Sequence, residues 1–126
     1  KQNNLDYEHG TGHGVGFFLN VHEGPQSISK INKIKIKEGM ILSNEPGYYK
    51  KGSFGIRIEN LVYVIKIKNK LFFENLTLAP IEKELINFNI LSSSEKKYLF
   101  KYHLTVYSNL SRYLTTKEKK WLASFI

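Results

Sequence analysis

His9-Gly-Thr-Gly-His13-Gly-Val-Gly16, followed at a short distance by Val21-His22-Glu23-Gly-Pro25, is the stretch on which the reading of this chain turns. Three of its four histidines fall between positions 9 and 22. Glycines stand between them, and a glycine lets the backbone approach a ligand or another strand closely. The spacing of His9 and His13 would suit two ligands on one turn of helix, but Gly10 and Gly12 argue against a helix there. A loop or the entry to a strand is the better location. Two polar clusters follow, Ser43-Asn44-Glu45-Pro46-Gly47 and Phe54-Gly55-Ile56-Arg57-Ile58-Glu59-Asn60. Imidazoles and carboxylates delivered from separate segments are the materials of a catalytic metal site. The pattern points to a metallohydrolase.

Each cluster also has an ordinary structural reading. Along a strand, Arg57 and Glu59 face one way while Ile56 and Ile58 face the other. Two isoleucines turned into a core and a surface ion pair opposite them make an unremarkable half-buried strand. A glutamate before Pro-Gly, as at Glu45, is commonly a turn residue. The joint occurrence of the clusters in this order carries the argument.

The 126 residues suffice for one compact domain, and 41% hydrophobic and 13% aromatic content fit a packed core. No apolar stretch approaches the roughly twenty residues of a membrane span, so no membrane partner is expected. The opening Lys1-Gln-Asn-Asn-Leu-Asp6 resembles neither a secretory signal nor a transit peptide. With no cysteine there are no thiolate ligands, so any metal rests on nitrogen and oxygen. That composition is compatible with a reducing cytosol, and a cytoplasmic location is the expectation. The net charge of +8 concentrates in residues 28–70, where Lys30, Lys33, Lys35 and Lys37 alternate with isoleucines. Lacking an aromatic stacking platform or a nucleic-acid motif, these lysines read as the wet face and guarded edges of strands, with no nucleic acid as partner.

Organisation changes along the chain. Gly14–Val21 reads as a short strand, 28–37 as an exposed strand or extended connection, and Lys37-Glu38-Gly39 as a turn into Met40-Ile41-Leu42. Residues 54–68 read as one long strand or two broken by a bulge, with Leu71–Leu78 pairing back after a Lys68-Asn69-Lys70 turn. After Pro80 the signals are helical. Ser92-Ser-Ser-Glu95 and Thr115-x-x-Glu118 have capping-box spacing, and Tyr98, Leu99, Tyr102, Val106, Leu110 and Tyr113 recur at helical steps. Trp121, Leu122 and Phe125 read as packing groups, and His103 as a surface or packing residue. The expected division is 1–81, strand-rich and carrying the candidate ligands, and 82–126, a helical C-terminal extension.

In combination, His9-Gly-Thr-Gly-His13-Gly-Val-Gly, Val21-His22-Glu23-Gly-Pro25, Asn44-Glu45-Pro46-Gly47-Tyr48-Tyr49 and Gly55-Ile56-Arg57-Ile58-Glu59-Asn60 resemble the Xaa-Pro aminopeptidases (aminopeptidase P). These belong to the creatinase/methionine-aminopeptidase superfamily with the pita-bread fold. Leu76-Thr77-Leu78-Ala79-Pro80-Ile81 and Tyr102-His103-Leu104 resemble its larger, three-domain eukaryotic-type members.

The resemblance implies an α+β fold, the second half of a pita-bread domain, with antiparallel strands followed by C-terminal helices. It implies a site for two divalent ions held by two aspartates, one histidine and two glutamates, with manganese as first choice and zinc or cobalt next. His13 matches the histidine ligand. Glu45 matches the glutamate that also takes part in proton transfer, and Glu59 the one shared by both ions. His9 and His22 match histidines that bind substrate and stabilise or shuttle charge at the scissile carbonyl. Arg57 and Tyr49 match groups that orient an aspartate ligand. The two aspartates are expected upstream, and Asp6, the only aspartate here, does not match their position. The chain is thus expected to be the C-terminal part of a catalytic domain, with three of five ligands and no activity alone. Peptides with an Xaa-Pro N-terminus are the implied partners, and the parent protein is expected to be a homodimer. The alternatives are a prolidase-like Xaa-Pro dipeptidase and a non-enzymatic pita-bread binding module.

Overall fold

The computed structural model describes residues 5–18 and 20–126, so the start of the polar leader and Leu19 within the 14–21 segment lie outside the described residues. The chain forms two compact units, Lys1–Thr77 and Leu78–Ile126.

The first unit is built on hairpins. β3 (Ile41–Asn44) pairs antiparallel with β6 (Asn60–Ile67), which pairs antiparallel with β7 (Lys70–Asn75). The β6–β7 connection is the Lys68-Asn69 pair, both with positive φ (46° and 64°), the backbone of a tight type I′ hairpin. β4 (Gly47–Lys50) and β5 (Phe54–Arg57) form a second hairpin, while β1 (Gly12–His13) pairs with β2 (Ser27–Ile28). β-Branched and aromatic residues dominate β6, and alternation turns Val62 and Val64 onto Leu42 of β3 to form the core. Ile28, Ile36 and Met40 pack at its margin. The turn before β3 places Gly39 at φ +84°, where a side chain would be strained.

Here some sequence expectations change and others are decided between the alternatives offered. The strand expected over Gly14–Val21 stops at His13, apart from a single bridge between Gly14 and Leu42. Beyond it the chain turns back, with Gly16 N donating to Asn20 O and Glu23 N to Gly14 O. Residues 29–40 form no strand and are the extended connection. The 54–68 segment is two strands separated at Ile58–Glu59. Ile56 and Ile58 do not enter a core: they are 41% and 49% exposed, because β5 pairs only with β4 and the buried face belongs to β6.

In the second unit, α1 (Ser93–Leu110) and α2 (Thr116–Ala123) both begin with complete capping boxes, Ser92 with Glu95 and Thr115 with Glu118. Tyr102 and Val106 of α1 pack with Leu122 of α2, bordered by Leu78, Ile81 and Leu114. Tyr102 Oη donates to Ala79 O at 2.7 Å, and Ile81 N donates to His103 Nε2 at 3.1 Å. These bonds tie the segment after Thr77 to α1, so Leu78–Ile81 belongs with the helices. His103 is thereby a buried packing residue with its ring nitrogen satisfied. Of the three packing groups expected near the end, Leu122 is buried, while Trp121 lies more than half exposed with its ring edge against Phe125. Among the described residues no helix is long and apolar enough to cross a membrane.

Candidate metal centre

The β3–β6 ladder ends with Asn44 opposite Asn60, and the β4–β5 ladder resumes with Gly47 opposite Arg57. The register is the same on both sides of the gap, so Glu45 falls opposite Glu59 and Pro46 opposite Ile58. Ile58 N donates to Pro46 O at 3.3 Å, and Pro46 has no N–H to return. Two carboxylates on directly opposed strand positions repel each other. A cation shared between them removes that cost.

The third donor arrives from β1. Glu45 N donates to Thr11 O at 2.7 Å, and Gly14 bridges Leu42, so β1 lies along β3 with His13 between these two points. Gly12 makes the approach possible, since a Cβ there would collide with the Ser43 carbonyl oxygen. His13, Glu45 and Glu59 each offer a ligand atom, and the three atoms lie within 4.8 Å of one another.

The chemistry of this set fits a divalent cation. The His13 Nδ1 lies 2.9 Å from Gly14 O, and a carbonyl only accepts, so Nδ1 carries the hydrogen. The other ring nitrogen, Nε2, stands 3.3 Å from Glu45 Oε1. A neutral imidazole there turns a lone pair on a carboxylate oxygen, and two electron-rich atoms at that distance need a proton or a metal between them. Two donors each about 2.05 Å from one ion at a tetrahedral angle stand about 3.3 Å apart. One nitrogen and carboxylate oxygens suit a hard or borderline ion.

Glu45 is only 8% exposed, and both its oxygens are engaged. Oε1 accepts from Ser43 Oγ (3.0 Å), and Oε2 accepts from Arg57 Nη1 (3.0 Å). On the ordinary structural reading Arg57 would bridge Glu59 at the surface, but the guanidinium reaches across the strands to Glu45. Its Nε also donates to Tyr49 Oη at 3.0 Å. The hydrogen bond to Tyr49, followed by the nearby Glu45 and Glu59 carboxylates, holds the Arg57 pKa above its already high usual value. Tyr49 Oη lies 2.6 Å from His9 Nε2, and His9 Nδ1 lies 2.7 Å from Gly10 O. The carbonyl fixes the hydrogen on Nδ1, so Tyr49 accepts from Arg57 and donates to His9. His22 has its ring centroid 4.1 Å from that of His13, and among the described residues it makes no hydrogen bond.

Matches with known families and proteins bear on this geometry. A family model described as metallopeptidase family M24 covers residues 1–66, and one described as the C-terminal region of peptidase M24 covers residues 69–124. The chain belongs to metallopeptidase family M24. Among its M24 relatives, the probable Xaa-Pro aminopeptidases P of Laccaria bicolor and Coprinopsis cinerea are each 47% identical to it over 96% of its length. The chain spans 21% of the first relative and 22% of the second, about a fifth of their length. The crystal structure of an X-prolyl aminopeptidase from Caenorhabditis elegans, a cytosolic enzyme with a di-nuclear active site, superposes with a TM-score of 0.87 at 39% identity. That match covers 98% of this chain and 22% of the other. This M24 chain therefore has the α+β pita-bread architecture, with antiparallel strands followed by two helices.

Of the residues singled out in the sequence, His13, Glu45 and Glu59 form one cluster, and Arg57, Tyr49 and His9 form a hydrogen-bonded chain leading away from Glu45. Among the described residues neither His9 nor His22 bonds directly to Glu45 or Glu59. Ser43 was given no role by sequence reasoning. The available signal was its place two residues before Glu45 on a strand, hence on the same face.

Proposed function

We propose that the protein carrying this chain is a metal-dependent aminopeptidase that removes the N-terminal residue from peptides with proline in second position. The observation that carries this reading is the convergence of one imidazole nitrogen and two carboxylates within 4.8 Å, in a chain sharing its fold with an X-prolyl aminopeptidase. The relatives' names support the preference for proline. Two divalent ions suit the reading, manganese first and zinc or cobalt next, and when bound they supply activation of water and polarisation of the peptide carbonyl.

The chain's own residues then have distinct tasks. His13 Nε2, Glu45 and Glu59 would hold the ions. Glu45, buried and gripped at both oxygens, keeps a carboxylate in fixed orientation to take the proton of the attacking water. His22, whose ring makes no hydrogen bond among the described residues, donates to the charge that develops on the carbonyl oxygen. His9 has both nitrogens occupied, so its task is to line the substrate side and carry orientation from Tyr49. Arg57 sets Glu45 and Tyr49 together. A cytoplasmic location accords with the cytosolic description of the C. elegans enzyme, and the whole protein is proposed to act as a homodimer.

The test uses the full-length protein. Loaded with Mn²⁺, it releases arginine from an Arg-Pro-Pro peptide and cleaves Xaa-Pro dipeptides less well. Glu45→Ala lowers turnover by about 10²–10⁴-fold. Turnover at the wild-type rate in that variant removes Glu45 from the reaction, and no release by the loaded wild type overturns the assignment.

A further inference from the structure

We propose that the buried hydroxyl of Ser43 is a positioning group that sets His13 and Glu45 at the separation a shared cation requires. The inference deepens the metallopeptidase reading and rests on it.

Ser43 is fully buried, beside Leu42 and opposite Leu61 in the β3–β6 ladder. An apolar side chain is the ordinary occupant of such a position, because a buried hydroxyl is costly unless hydrogen-bonded. Both capacities of this one are used. Its hydrogen goes to Glu45 Oε1 at 3.0 Å, and a lone pair receives His13 N–H at 2.9 Å. Glu45 Oε1 is the oxygen that faces His13 Nε2 at 3.3 Å. One hydroxyl therefore contacts the main chain of one donor residue and the carboxylate of the other.

The seam between β1 and β3 shows why a side chain is needed there. Glu45 N donates to Thr11 O at one end, and Gly14 bridges Leu42 at the other. Between these points His13 N donates to the Ser43 hydroxyl, which stands in for a backbone carbonyl. Gly12, with no room for a Cβ against Ser43 O, keeps the two segments close enough. Removing the hydroxyl leaves a strand amide without its acceptor and, among the described residues, Arg57 as the one remaining hydrogen-bond donor to the Glu45 carboxylate. The carboxylate can then swing away from His13.

The experiment compares full-length wild type, Ser43→Ala and Ser43→Thr. Each is stripped of metal, titrated calorimetrically with Mn²⁺, and assayed on an Arg-Pro-Pro peptide. Ser43→Ala is expected to weaken Mn²⁺ binding by about 10–100-fold and to lower kcat at little-changed KM, with the metal-free melting midpoint held within a few degrees. Ser43→Thr, which keeps the hydroxyl, is expected to restore Mn²⁺ affinity to within about threefold of wild type. If Ser43→Ala does not fold, Ser43→Cys, with its weak S–H donor, is read by the same titration and the same loss is expected. Wild-type Mn²⁺ affinity in the folded Ala or Cys variant overturns the proposal while leaving the peptidase reading intact. A folded Thr variant as impaired as Ala also overturns it. A wild type that binds Mn²⁺ without cleaving the peptide refutes the peptidase reading alone, and one that binds no Mn²⁺ refutes both.

Discussion

The two units of this chain are held together in opposite ways. In the helical unit both helix starts are set by local polar contacts, each capping box joining residues three apart, and the longer ties from Tyr102 to Ala79 and from Ile81 to His103 serve packing. In the strand unit the ordering polar contacts span long stretches of sequence. His13 N reaches Ser43 across 30 positions, His9 reaches Tyr49 across 40, and Arg57 reaches Glu45 across 12. Local contacts organise a helix, whereas a site that gathers an imidazole and two carboxylates needs strands brought into register from afar. A fault in the second kind of contact should therefore damage chemistry, and a fault in the first kind only stability.

The largest effect is expected where one strand crosses another without room. Gly12→Ala drives a methyl into the Ser43 backbone, which cannot give as a side-chain tip would. A loss of about 3 kcal/mol or more is expected, together with loss of metal retention, measured by denaturation and metal analysis of the full-length protein. An unchanged midpoint would mean that β1 does not sit on β3 as described.

Next comes the Tyr49 ring, which lies against two glycines. A Cβ at Gly55 would approach Tyr49 Cδ1 to 2.8 Å, and one at Gly47 would collide with the hydroxyl. Tyr49→Phe, which leaves Arg57 Nε and His9 Nε2 without their shared partner, should lower kcat/KM by about 10–100-fold in a folded protein. Gly55→Ala, which only displaces the ring, should give a smaller loss in the same direction. Steady-state kinetics on an Arg-Pro-Pro peptide checks both, and equal activity in Tyr49→Phe and wild type would break the comparison.

What was legible in the sequence follows the same division. The capping boxes and the Lys68-Asn69 turn are short-range chemistry, and both helix starts and the β6–β7 hairpin are readable from residues a few positions apart. A break within 54–68 was one of the two readings offered, but its place at Ile58–Glu59 was not legible, because nothing in the segment announces where the hydrogen-bonded partner changes from β4 to β3. Nor was the exposure of Ile56 and Ile58, which depends on which neighbouring strand supplies a core. The partner of Arg57 was not legible for the same reason: residue alternation offers Glu59, whereas the cross-strand register sets Arg57 opposite Gly47 and within diagonal reach of Glu45. Ser43 shares a strand face with Glu45 two residues on, but that says nothing of His13 until β1 is known to lie along β3.

The helical unit sharpens the contrast from the other side. Ser92→Ala and Thr115→Ala each remove a cap and should cost about 1 kcal/mol of stability. The two share no partner, so their effects should add, and neither should change kcat/KM. A fall in activity without a fall in stability would contradict the separation of roles.

The smallest effect is a pH dependence. The Ser92 side chain, then its backbone N–H, hold the Glu95 pKa below the usual glutamate value, and Thr115 does the same for Glu118. Folding thus favours the ionised forms. Their contribution is present above the unfolded value, about pH 4.3, and is lost as pH falls through the lower folded values. Melting midpoints of the wild type should therefore drop more steeply below about pH 4.3 than those of a Glu95→Gln, Glu118→Gln variant. Parallel curves would show that the caps are not formed in solution.

The central claim, that His13, Glu45 and Glu59 meet on a common cation, is tested most directly by anomalous diffraction at the manganese edge from crystals of the full-length protein soaked in Mn²⁺. The account predicts a strong anomalous peak bonded to His13 Nε2 and to the carboxylates of Glu45 and Glu59, weakened or absent in Glu59→Ala crystals. A peak elsewhere, or full occupancy undisturbed by Glu59→Ala, would contradict it.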